Sequence, residues 1–399
     1  MVIRARRSGV SAVTMETADI LIIGGGIIGL SIAYHLVRAA RDPALRVVVL
    51  ERASQVGTGS TAKATGGIRH QFSTEVNVRL TQLSLSEFLR FEEETGEPVD
   101  LVQHGYLFVT AQEPVAEMMR QGVVLQQRLG VPSRWLAPGD VHAMFPAVRI
   151  DDLVGGTFCP LDGSASPYGA LQGYLRRCRE LGVEVRVDEE VTGIETRGGK
   201  VEGVRTVRGA WAGSTVVNAA GPRARDVAAM VGVDLPVAPY RRQVFVMTPV
   251  PELGIGRPLT VDLDTGWYLH QDRAGALYMG GTDKDTRPGL DEVVDWDGLD
   301  VVVRAALARI PAMAGARLVR GYAGLRSLTP DHHAILGPTE TPRGFYLANG
   351  FSGHGFMHAP AVGRLLSELI LEGAARSVDV TPLSLARFAV GTDQESVSF

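Results

Sequence analysis

The sequence has little cysteine and no long hydrophobic run. Its 399 residues include two cysteines, Cys159 and Cys178, which leave no disulfide framework and indicate a reducing compartment. A membrane-spanning helix needs roughly 18 consecutive apolar residues, and the best stretch, 20–32, is interrupted by the glycines at 24–26. These absences predict a cytoplasmic protein without a transmembrane segment.

An excess of charge of either sign is also missing. The chain carries 40 lysines and arginines against 44 aspartates and glutamates, so its net charge of −4 excludes the basic footprint of a nucleic-acid-binding protein. Hydrophobic residues (45%) and charged residues (21%) occur at the frequencies of an ordinary globular protein. At about 150 residues per domain, we expect two or three domains or one large composite fold.

Glycine is the residue in excess, with 47 copies, which indicates tight turns and close approaches of the backbone to a ligand. The clearest cluster, GGGIIG at 24–29, lies between an apolar run at 19–23 and a helical pattern that extends to about Arg41. A second apolar run at 46–51 ends in an acid. Strand, glycine turn, helix and strand predict a βαβ unit. In contrast to this unit, residues 1–17 are predicted to form a disordered extension.

The glycine turn predicts a dinucleotide site. Its first glycine allows a tight turn, its second lets a pyrophosphate approach the backbone, and its third lets helix and strand pack closely. Glu51 ends the second strand, where it can accept both ribose hydroxyls and disfavours a 2′-phosphate. The predicted phosphate-binding residues are Gly24, Gly26, Ile27, Ile28 and Gly29.

A long stretch of small residues, 57–67, follows the second strand. Its backbone donors and hydroxyls could wrap a large ligand, which favours FAD over NAD, although a flexible surface loop stays an alternative. The predicted cofactor-binding residues in and before this stretch are Arg52, Ser60, Thr61, Ala64, Thr65, Gly66 and Gly67.

The rest of the chain mixes strand and helix patterns. Residues 135–149 predict irregular structure. The sequence predicts strands at 101–109, 182–186, 216–221, 244–247, 267–270, 277–280 and 345–347, a hairpin with arms at 191–196 and 201–207, and helices at 114–129, 168–181, 299–310 and 359–372.

Residues 19–29, 51–52, 59–72, 217–221 and 350–363 together resemble the D-amino-acid oxidase superfamily of FAD-dependent amine oxidoreductases. They are most similar to its branch with sarcosine oxidase, glycine oxidase, and the β subunits of sarcosine oxidase and dye-linked proline dehydrogenase. The most specific motif is GFSGHGF at 350–356. The resemblance implies an α/β fold: a Rossmann-like FAD-binding domain of the glutathione-reductase type with an interleaved, mostly antiparallel α+β substrate domain.

The resemblance also implies domain bounds and further cofactor contacts. We expect a discontinuous FAD-binding domain at 18–97, 150–234 and 325–388, and a substrate-binding domain at 98–149 and 235–324. By resemblance, Val191 holds the adenine end, Ala220 and Gly221 lie beside the pyrophosphate, and the flavin ring's pyrimidine edge meets Gly353, His354, Gly355, Phe356 and Met357.

Two arginines are candidates for binding a substrate carboxylate, because arginine can clamp it in a bidentate manner. Arg69 matches the carboxylate-binding arginine of the sarcosine oxidase type, and Arg326 that of glycine oxidase; either could instead be an ordinary surface or ion-paired residue. Tyr268 stands where family members place an active-site tyrosine. Sarcosine oxidase has a lysine at the position of Met357, so the clamp must differ here and a bulkier apolar substrate is favoured. The candidate catalytic residues are Arg69, Arg326, Tyr268, Lys63, His354 and Met357.

We expect non-covalent FAD and no metal. The segment around Gly324, where the family places its linking cysteine, contains none, and Lys63 replaces the linking histidine of the dimethylglycine type. His70 remains a remote candidate for attachment. The histidines at 332–333 and 354–358 lack companion cysteines or acids at ligand spacing.

These features predict an enzyme that oxidises the C–N bond of a small, secondary amino acid such as proline, hydroxyproline or sarcosine. Hydride would pass to flavin N5, and the imine product would hydrolyse. A 2-hydroxy-acid dehydrogenase and a non-catalytic flavoprotein assembly factor stay as alternatives.

Scarcity of lysine bears on the electron acceptor. Oxidases of the sarcosine type use a lysine near the flavin to activate O₂, and here the matching position is Tyr278. Of the three lysines, Lys200 is expected at the adenine end and Lys284 is flanked by acids, which leaves Lys63. We therefore predict a dehydrogenase that passes electrons to a dye, a quinone or a partner subunit, in a homodimer or hetero-oligomer.

Overall fold

The structure is a computed structural model that describes residues 15–281, 287–391 and 393–396. Its helices are α1 (Ile27–Ala39), α2 (Ser60–Lys63), α3 (Glu75–Phe88), α4 (Phe91–Thr95), α5 (Glu113–Arg128), α6 (Pro138–Met144), α7 (Pro167–Glu180), α8 (Ala224–Ala229), α9 (Asp297–Arg309), α10 (Gly355–Glu372) and α11 (Arg387–Val390). None of these helices is long and apolar enough to span a membrane.

The strands, in chain order, alternate between two halves, which carry the predicted nucleotide site and the predicted substrate site and are called the nucleotide-binding half and the substrate half. They are β1 (Met15–Thr17), β2 (Ile20–Ile23), β3 (Val47–Leu50), β4 (Gly67–Ile68), β5 (Tyr106–Thr110), β6 (Arg134–Leu136), β7 (Gly155–Cys159), β8 (Gly163–Ser164), β9 (Glu184–Arg186), β10 (Val191–Arg197), β11 (Lys200–Thr206), β12 (Ala210–Ala212), β13 (Thr215–Asn218), β14 (Ala238–Met247), β15 (Leu259–Asp262), β16 (Trp267–Gln271), β17 (Leu277–Gly280), β18 (Leu318–Leu328), β19 (Ile335–Pro338) and β20 (Phe345–Asn349).

A six-stranded sheet forms the centre of the nucleotide-binding half. Its order is β19-β20-β13-β2-β3-β9, with β19 antiparallel at the edge and the other strands parallel. Strands β2 and β3 are buried throughout, because α1 and α10 cover one face of the sheet and a second apolar cluster covers the other. Burial on both faces explains why these strands are continuous apolar runs. The predicted βαβ unit is confirmed.

The four-stranded sheet β1-β12-β11-β10 covers the second face of that central sheet. The predicted hairpin is its β10–β11 pair. The expectation that residues 1–17 are disordered is wrong for 15–17, because β1 pairs in parallel with β12, Met15 opposite Ala210. Residues 1–14 lie outside the described part of the chain.

The substrate half is an eight-stranded sheet in the order β18-β14-β17-β16-β15-β5-β7-β6, antiparallel except for the β15–β5 pair. Side chains alternate between its faces. Leu107, Phe245, Trp267 and Met279 belong to an apolar cluster on one face, which α9 covers. The opposite face turns toward the nucleotide-binding half and carries the substrate-site candidates.

Two expectations about element bounds need correction. Residues 135–149 are not irregular: they contain most of β6 and all of α6, whose start is marked by Pro138 at the first helical position and by Asp140, which accepts the Ala137 N–H. Strand β7 belongs to the eight-stranded sheet, so the domain boundary expected at residue 150 does not coincide with the sheet. The sequence did not predict β7, because the two glycines at its start give no alternating pattern of apolar and polar residues.

Helix α10 begins at Gly355, four residues before the expected start. The predicted start at residue 359 was wrong because proline usually stands in the first turn of a helix or ends one. In this helix Pro360 is the sixth residue. The earlier start places the helix N-terminus inside the GFSGHGF motif.

Candidate active site

One large cavity, of about 710 Å³, lies between the carboxyl ends of β2, β3 and β13 and the inward face of the eight-stranded sheet. Ligands of open parallel sheets bind at such carboxyl ends. Every residue that the sequence predicts for cofactor or substrate lines this cavity except Gly29. The structure therefore brings residues between 24 and 357 into one site.

The glycine turn has the geometry that its spacing predicts. Gly24 adopts a φ of +112°, and a Cβ there would overlap the carbonyl oxygen of Ala219. A Cβ on Gly29 would overlap the Gly24 carbonyl oxygen, which is why this glycine packs helix against strand without reaching the cavity. At Gly26 the nearest atom to such a Cβ is Thr61 Oγ1 at 3.4 Å, so the backbone is open to a phosphate.

Glu51 lies at the end of β3 on the cavity wall, and its carboxylate already accepts hydrogen bonds from the protein backbone. One oxygen accepts the Gly25 N–H at 2.8 Å and the other accepts the Ala53 N–H at 2.8 Å. A carboxylate oxygen can accept two hydrogen bonds, so each retains capacity for a ribose hydroxyl. Glu51 thus fixes the glycine turn as well as facing the cavity.

The small-residue stretch 57–67 is tied down rather than a free surface loop. Thr61 Oγ1 accepts the Ile27 N–H at 3.1 Å, and Ser60 donates to the Leu325 carbonyl oxygen at 2.7 Å. These hydroxyls join α2 to the glycine turn and to β18. They are therefore partly used within the protein, which leaves backbone groups of the stretch as further contacts for a cofactor.

The GFSGHGF motif places the N-terminus of the 18-residue helix α10 at the cavity. Gly353 has a φ of +93°, and a Cβ there would lie 2.7 Å from Arg326 Nε. Glycine at this position lets the Arg326 guanidinium approach the backbone. A helix N-terminus favours negative charge, as on a flavin ring whose pyrimidine edge becomes anionic on reduction.

Arg326 and Tyr268 lie on the inward face of the sheet, where their side chains interact electrostatically. Gly280 of β17 lies between their strands, and a Cβ there would be 2.7 Å from the Tyr268 ring, so glycine lets the ring lie across the sheet. Burial, reinforced by the positive charges of Arg242 and Arg69, lowers the pKa of Arg326 to about 10. Burial raises the pKa of Tyr268, so its hydroxyl stays protonated. A bound carboxylate would stabilise this arginine.

Arg69 is 2% exposed and is held more tightly. Its guanidinium donates to the Gln71 carbonyl oxygen, lies 3.2 Å from His354 Nε2, and stacks 3.9 Å from the Phe72 ring centroid. Burial and the neighbouring Arg69 cation lower the pKa of His354 well below its usual value, so the ring is neutral and accepts at Nε2. Arg69 therefore belongs to the wall behind the α10 N-terminus as much as to the substrate space.

Sequence reasoning missed Tyr106 and Arg242, which also line the cavity. The Tyr106 hydroxyl occupies the space that a Cβ on Gly67 would need, and burial raises its pKa. Arg242 is opposite Gly324 in the β14–β18 pair. The alternating pattern of β5 and β14 could have placed both on one face, but it does not tell which face meets the cofactor.

Lys63 packs its side chain over Gly324, where a Cβ would be 2.5 Å from Lys63 Cβ. It lines the cavity, whereas Lys200 is exposed at the β10–β11 hairpin and does not. Lys284 lies outside the described residues. The Tyr278 hydroxyl is 3.4 Å from an Asp272 oxygen, outside the cavity lining.

His70 lies outside the cavity lining, in a buried cluster with Cys159 and Asp162. Asp162 accepts the His70 N–H at 2.6 Å, His70 Nδ1 at 2.9 Å and Gln71 Nε2 at 3.0 Å. Burial raises the pKa of the Cys159 thiol. The cluster is therefore closed by its own hydrogen bonds, and His70 is poorly placed for covalent attachment.

Comparison with known proteins agrees with this geometry. Residues 19–369 match the family described as "DAO: FAD dependent oxidoreductase". Mitochondrial dimethylglycine dehydrogenase of Rattus norvegicus is 31% identical over 378 residues, which cover 90% of this chain and 43% of that protein. The chain thus spans less than half of that relative. FAD-dependent oxidoreductase domain-containing protein 1 of Bos taurus is 31% identical over 421 residues, covering 94% of this chain and 86% of that protein.

Two solved structures share the whole architecture. L-proline dehydrogenase from P. horikoshii superposes with a TM-score of 0.88 at 30% identity, covering 96% of this chain and 100% of that one. Glycine oxidase from Geobacillus kaustophilus superposes with a TM-score of 0.82 at 26% identity, covering 94% and 99%.

Proposed function

Since this chain belongs to the family of FAD-dependent oxidoreductases and uses FAD as its cofactor, we propose that it oxidises the C–N bond of a small amino acid. A secondary amine such as proline, hydroxyproline or sarcosine is the proposed substrate class. The observation that carries the proposal is the continuous cavity, which joins the glycine turn at one end to Arg326 and Tyr268 at the other.

The residues present fit FAD. The open backbone at Gly26 and the positive-φ Gly221, where a Cβ would meet nothing within 4 Å, leave room for the pyrophosphate. Glu51 and Val191 line the cavity, where they would hold the ribose and the adenine end. When bound, FAD supplies the hydride acceptor at its N5 atom.

Arg326 and Tyr268 would orient the substrate. The guanidinium has other cations among its neighbours, so an entering carboxylate gains a charge-assisted hydrogen bond and offsets their repulsion. The Tyr268 phenol, kept protonated by burial, can donate to the same carboxylate. Fixing the carboxylate fixes the α-carbon, whose hydride must point toward the flavin.

The remaining wall suits a small apolar body. Leu259, Val244, Phe351 and Met357 line the cavity together with Tyr106. Met357 is 6% exposed and places a thioether where sarcosine oxidase has a cation. A desolvated wall favours the neutral amine, which can release hydride, and the imine product then leaves to hydrolyse in water.

We propose further that electrons leave to a dye, a quinone or a partner subunit faster than to O₂. Lys63 is the lysine that lines the cavity among the described residues, and its stem is packed on β18. A single lysine held against the sheet is weak support for oxygen activation.

Anaerobic mixing of the purified holoenzyme with a panel of amino acids and 2-hydroxy acids tests the proposal. Bleaching of the visible flavin band by proline, hydroxyproline or sarcosine is expected, with no bleaching by lactate. Bleaching by hydroxy acids alone, or by nothing tried, would contradict it. Acid precipitation of the same sample should release FAD into the supernatant; colour left in the pellet would refute non-covalent binding.

A further inference from the structure

A carboxylate from the segment 393–396 is buried beside the segment that carries Arg69. Glu395 is 1% exposed, although its neighbours on either side are exposed. It accepts the Ser73 N–H at 2.8 Å, the Ser73 hydroxyl at 2.6 Å, the Thr74 hydroxyl at 2.6 Å and the Asn77 amide at 3.0 Å. These donors lie 318–322 residues away in sequence, so this contact is specific to the folded chain.

Backbone contacts dock the same segment on a second element. The Glu395 N–H donates to the Asp331 carbonyl oxygen at 3.0 Å, and the Ser396 N–H donates to Ser73 Oγ at 2.8 Å. Asp331 is itself held by Arg387 at 2.7 and 3.0 Å. Asp331 lies just beyond the end of β18, the strand that contains Arg326. Segment 393–396 therefore links the two parts of the wall that carry the two candidate arginines.

The contacts of Glu395 continue to Arg69 through the start of α3. Thr81, one turn after Asn77, donates its hydroxyl to the Arg69 carbonyl oxygen at 2.9 Å. The Glu395 charge also raises the pKa of Arg69, against the larger lowering by burial. Glu395 thus acts on Arg69 both by fixing residues 73–77 and by opposing the cost of its buried charge.

We propose that Glu395 is a positioning residue of the substrate site, which holds residues 73–77 in place and thereby holds Arg69 at the cavity wall. This inference rests on the proposed function, because it requires that a substrate carboxylate binds in the cavity that Arg69 lines. It assigns a role at the site to a segment that the family-matched residues 19–369 do not include.

The test compares Glu395→Gln with Asp393→Asn in the holoenzyme. Asp393 is exposed on the same segment, so its variant removes the same charge without the buried contacts. The probe is pyrrole-2-carboxylate, a planar carboxylate of proline's size, titrated against the flavin spectrum. Glu395→Gln should weaken its Kd at least about tenfold, as misplacement of a binding group does, and should raise KM more than it lowers kcat. Asp393→Asn should match the unaltered protein.

A double variant separates positioning from general stability. If Glu395 acts through Arg69, then Glu395→Gln should have no further effect on the probe's Kd in an Arg69→Ala background. An unchanged Kd in Glu395→Gln with a lowered Tm or FAD content would show a purely structural residue and overturn the inference. No spectral response in the unaltered protein would instead overturn the proposed function, and this inference with it.

Thr74→Val keeps the test decisive where Glu395→Gln does not fold. It removes one donor to Glu395, and Thr74→Ser restores it. Weaker probe binding in the valine variant with recovery in the serine variant is expected. Equal binding in both would overturn the inference.

Discussion

The two ends of the cavity are built in different ways. The dinucleotide end is mostly backbone. It consists of a glycine turn between β2, which begins at Ile20, and α1, and Glu51 accepts a hydrogen bond from this turn. The substrate end is mostly side chains, brought together by the register of β14, β16, β17 and β18 and by the separate segment of Arg69. A backbone site depends on local geometry, whereas a side-chain site depends on strands far apart in sequence. Substitutions of the substrate-end side chains should therefore leave FAD binding intact.

The largest expected effect is at the dinucleotide end. Gly29→Val places side-chain atoms against the Gly24 carbonyl oxygen, so the helix must move from the strand, and we expect loss of FAD and of much soluble protein. Gly139→Ala in α6 is the matched control, because a Cβ there meets nothing within 4 Å and the residue lies outside the cavity lining. The ratio of flavin to protein absorbance measures both. Normal FAD content in Gly29→Val would break the comparison.

This contrast also explains what the sequence could and could not predict. The need for glycine at position 29 was predictable because its steric reason, the Gly24 carbonyl oxygen, lies within six residues of chain. The partnership of Arg326 with Tyr268 could be suggested by resemblance only, since it depends on Gly280 and on strand register. Tyr106 was missed because nothing local shows which sheet face meets the cofactor. Glu395 was missed because its partners begin at Ser73.

The next largest effect is a pH dependence confined to the substrate end. The pKa of Arg326 is lowered to about 10, so its charge is present below that pH and is lost as the pH rises through it. The Kd of pyrrole-2-carboxylate should be flat at neutral pH and weaken by about tenfold per pH unit above about 10, while FAD stays bound. The Tyr268 hydroxyl, whose pKa is raised, does not ionise first. A flat profile, or the same alkaline limb in Arg326→Ala, would assign the carboxylate to another group.

A smaller effect is expected from the phenol. Tyr268→Phe removes one hydrogen bond, worth about 0.5–1.5 kcal/mol, and should raise KM roughly two- to tenfold with FAD content unchanged. Tyr278→Phe is the control, because that hydroxyl is near Asp272 and outside the cavity lining. Steady-state kinetics on the best substrate of the panel measures both. Equal KM values in the two variants would remove Tyr268 from the clamp.

The smallest effect is expected at Lys63. Stopped-flow reoxidation of the substrate-reduced enzyme by air-saturated buffer should be slower than turnover with a dye. Lys63→Met should change it by less than about twofold, because no large electrostatic stabilisation is lost. Reoxidation as fast as turnover, lost in this variant, would instead show an oxidase that depends on Lys63.

Anaerobic rapid mixing of Arg326→Ala with substrate tests the central claim most directly, because one sample reports on both ends of the cavity. The account predicts full FAD content together with a substrate Kd weakened by roughly a hundredfold, about 3 kcal/mol, the cost of leaving a buried charge without its partner. Arg320→Ala, an exposed arginine on the same strand, should behave as the unaltered protein. Flavin reduction by Arg326→Ala with an unchanged Kd, or loss of FAD from it, would contradict the account.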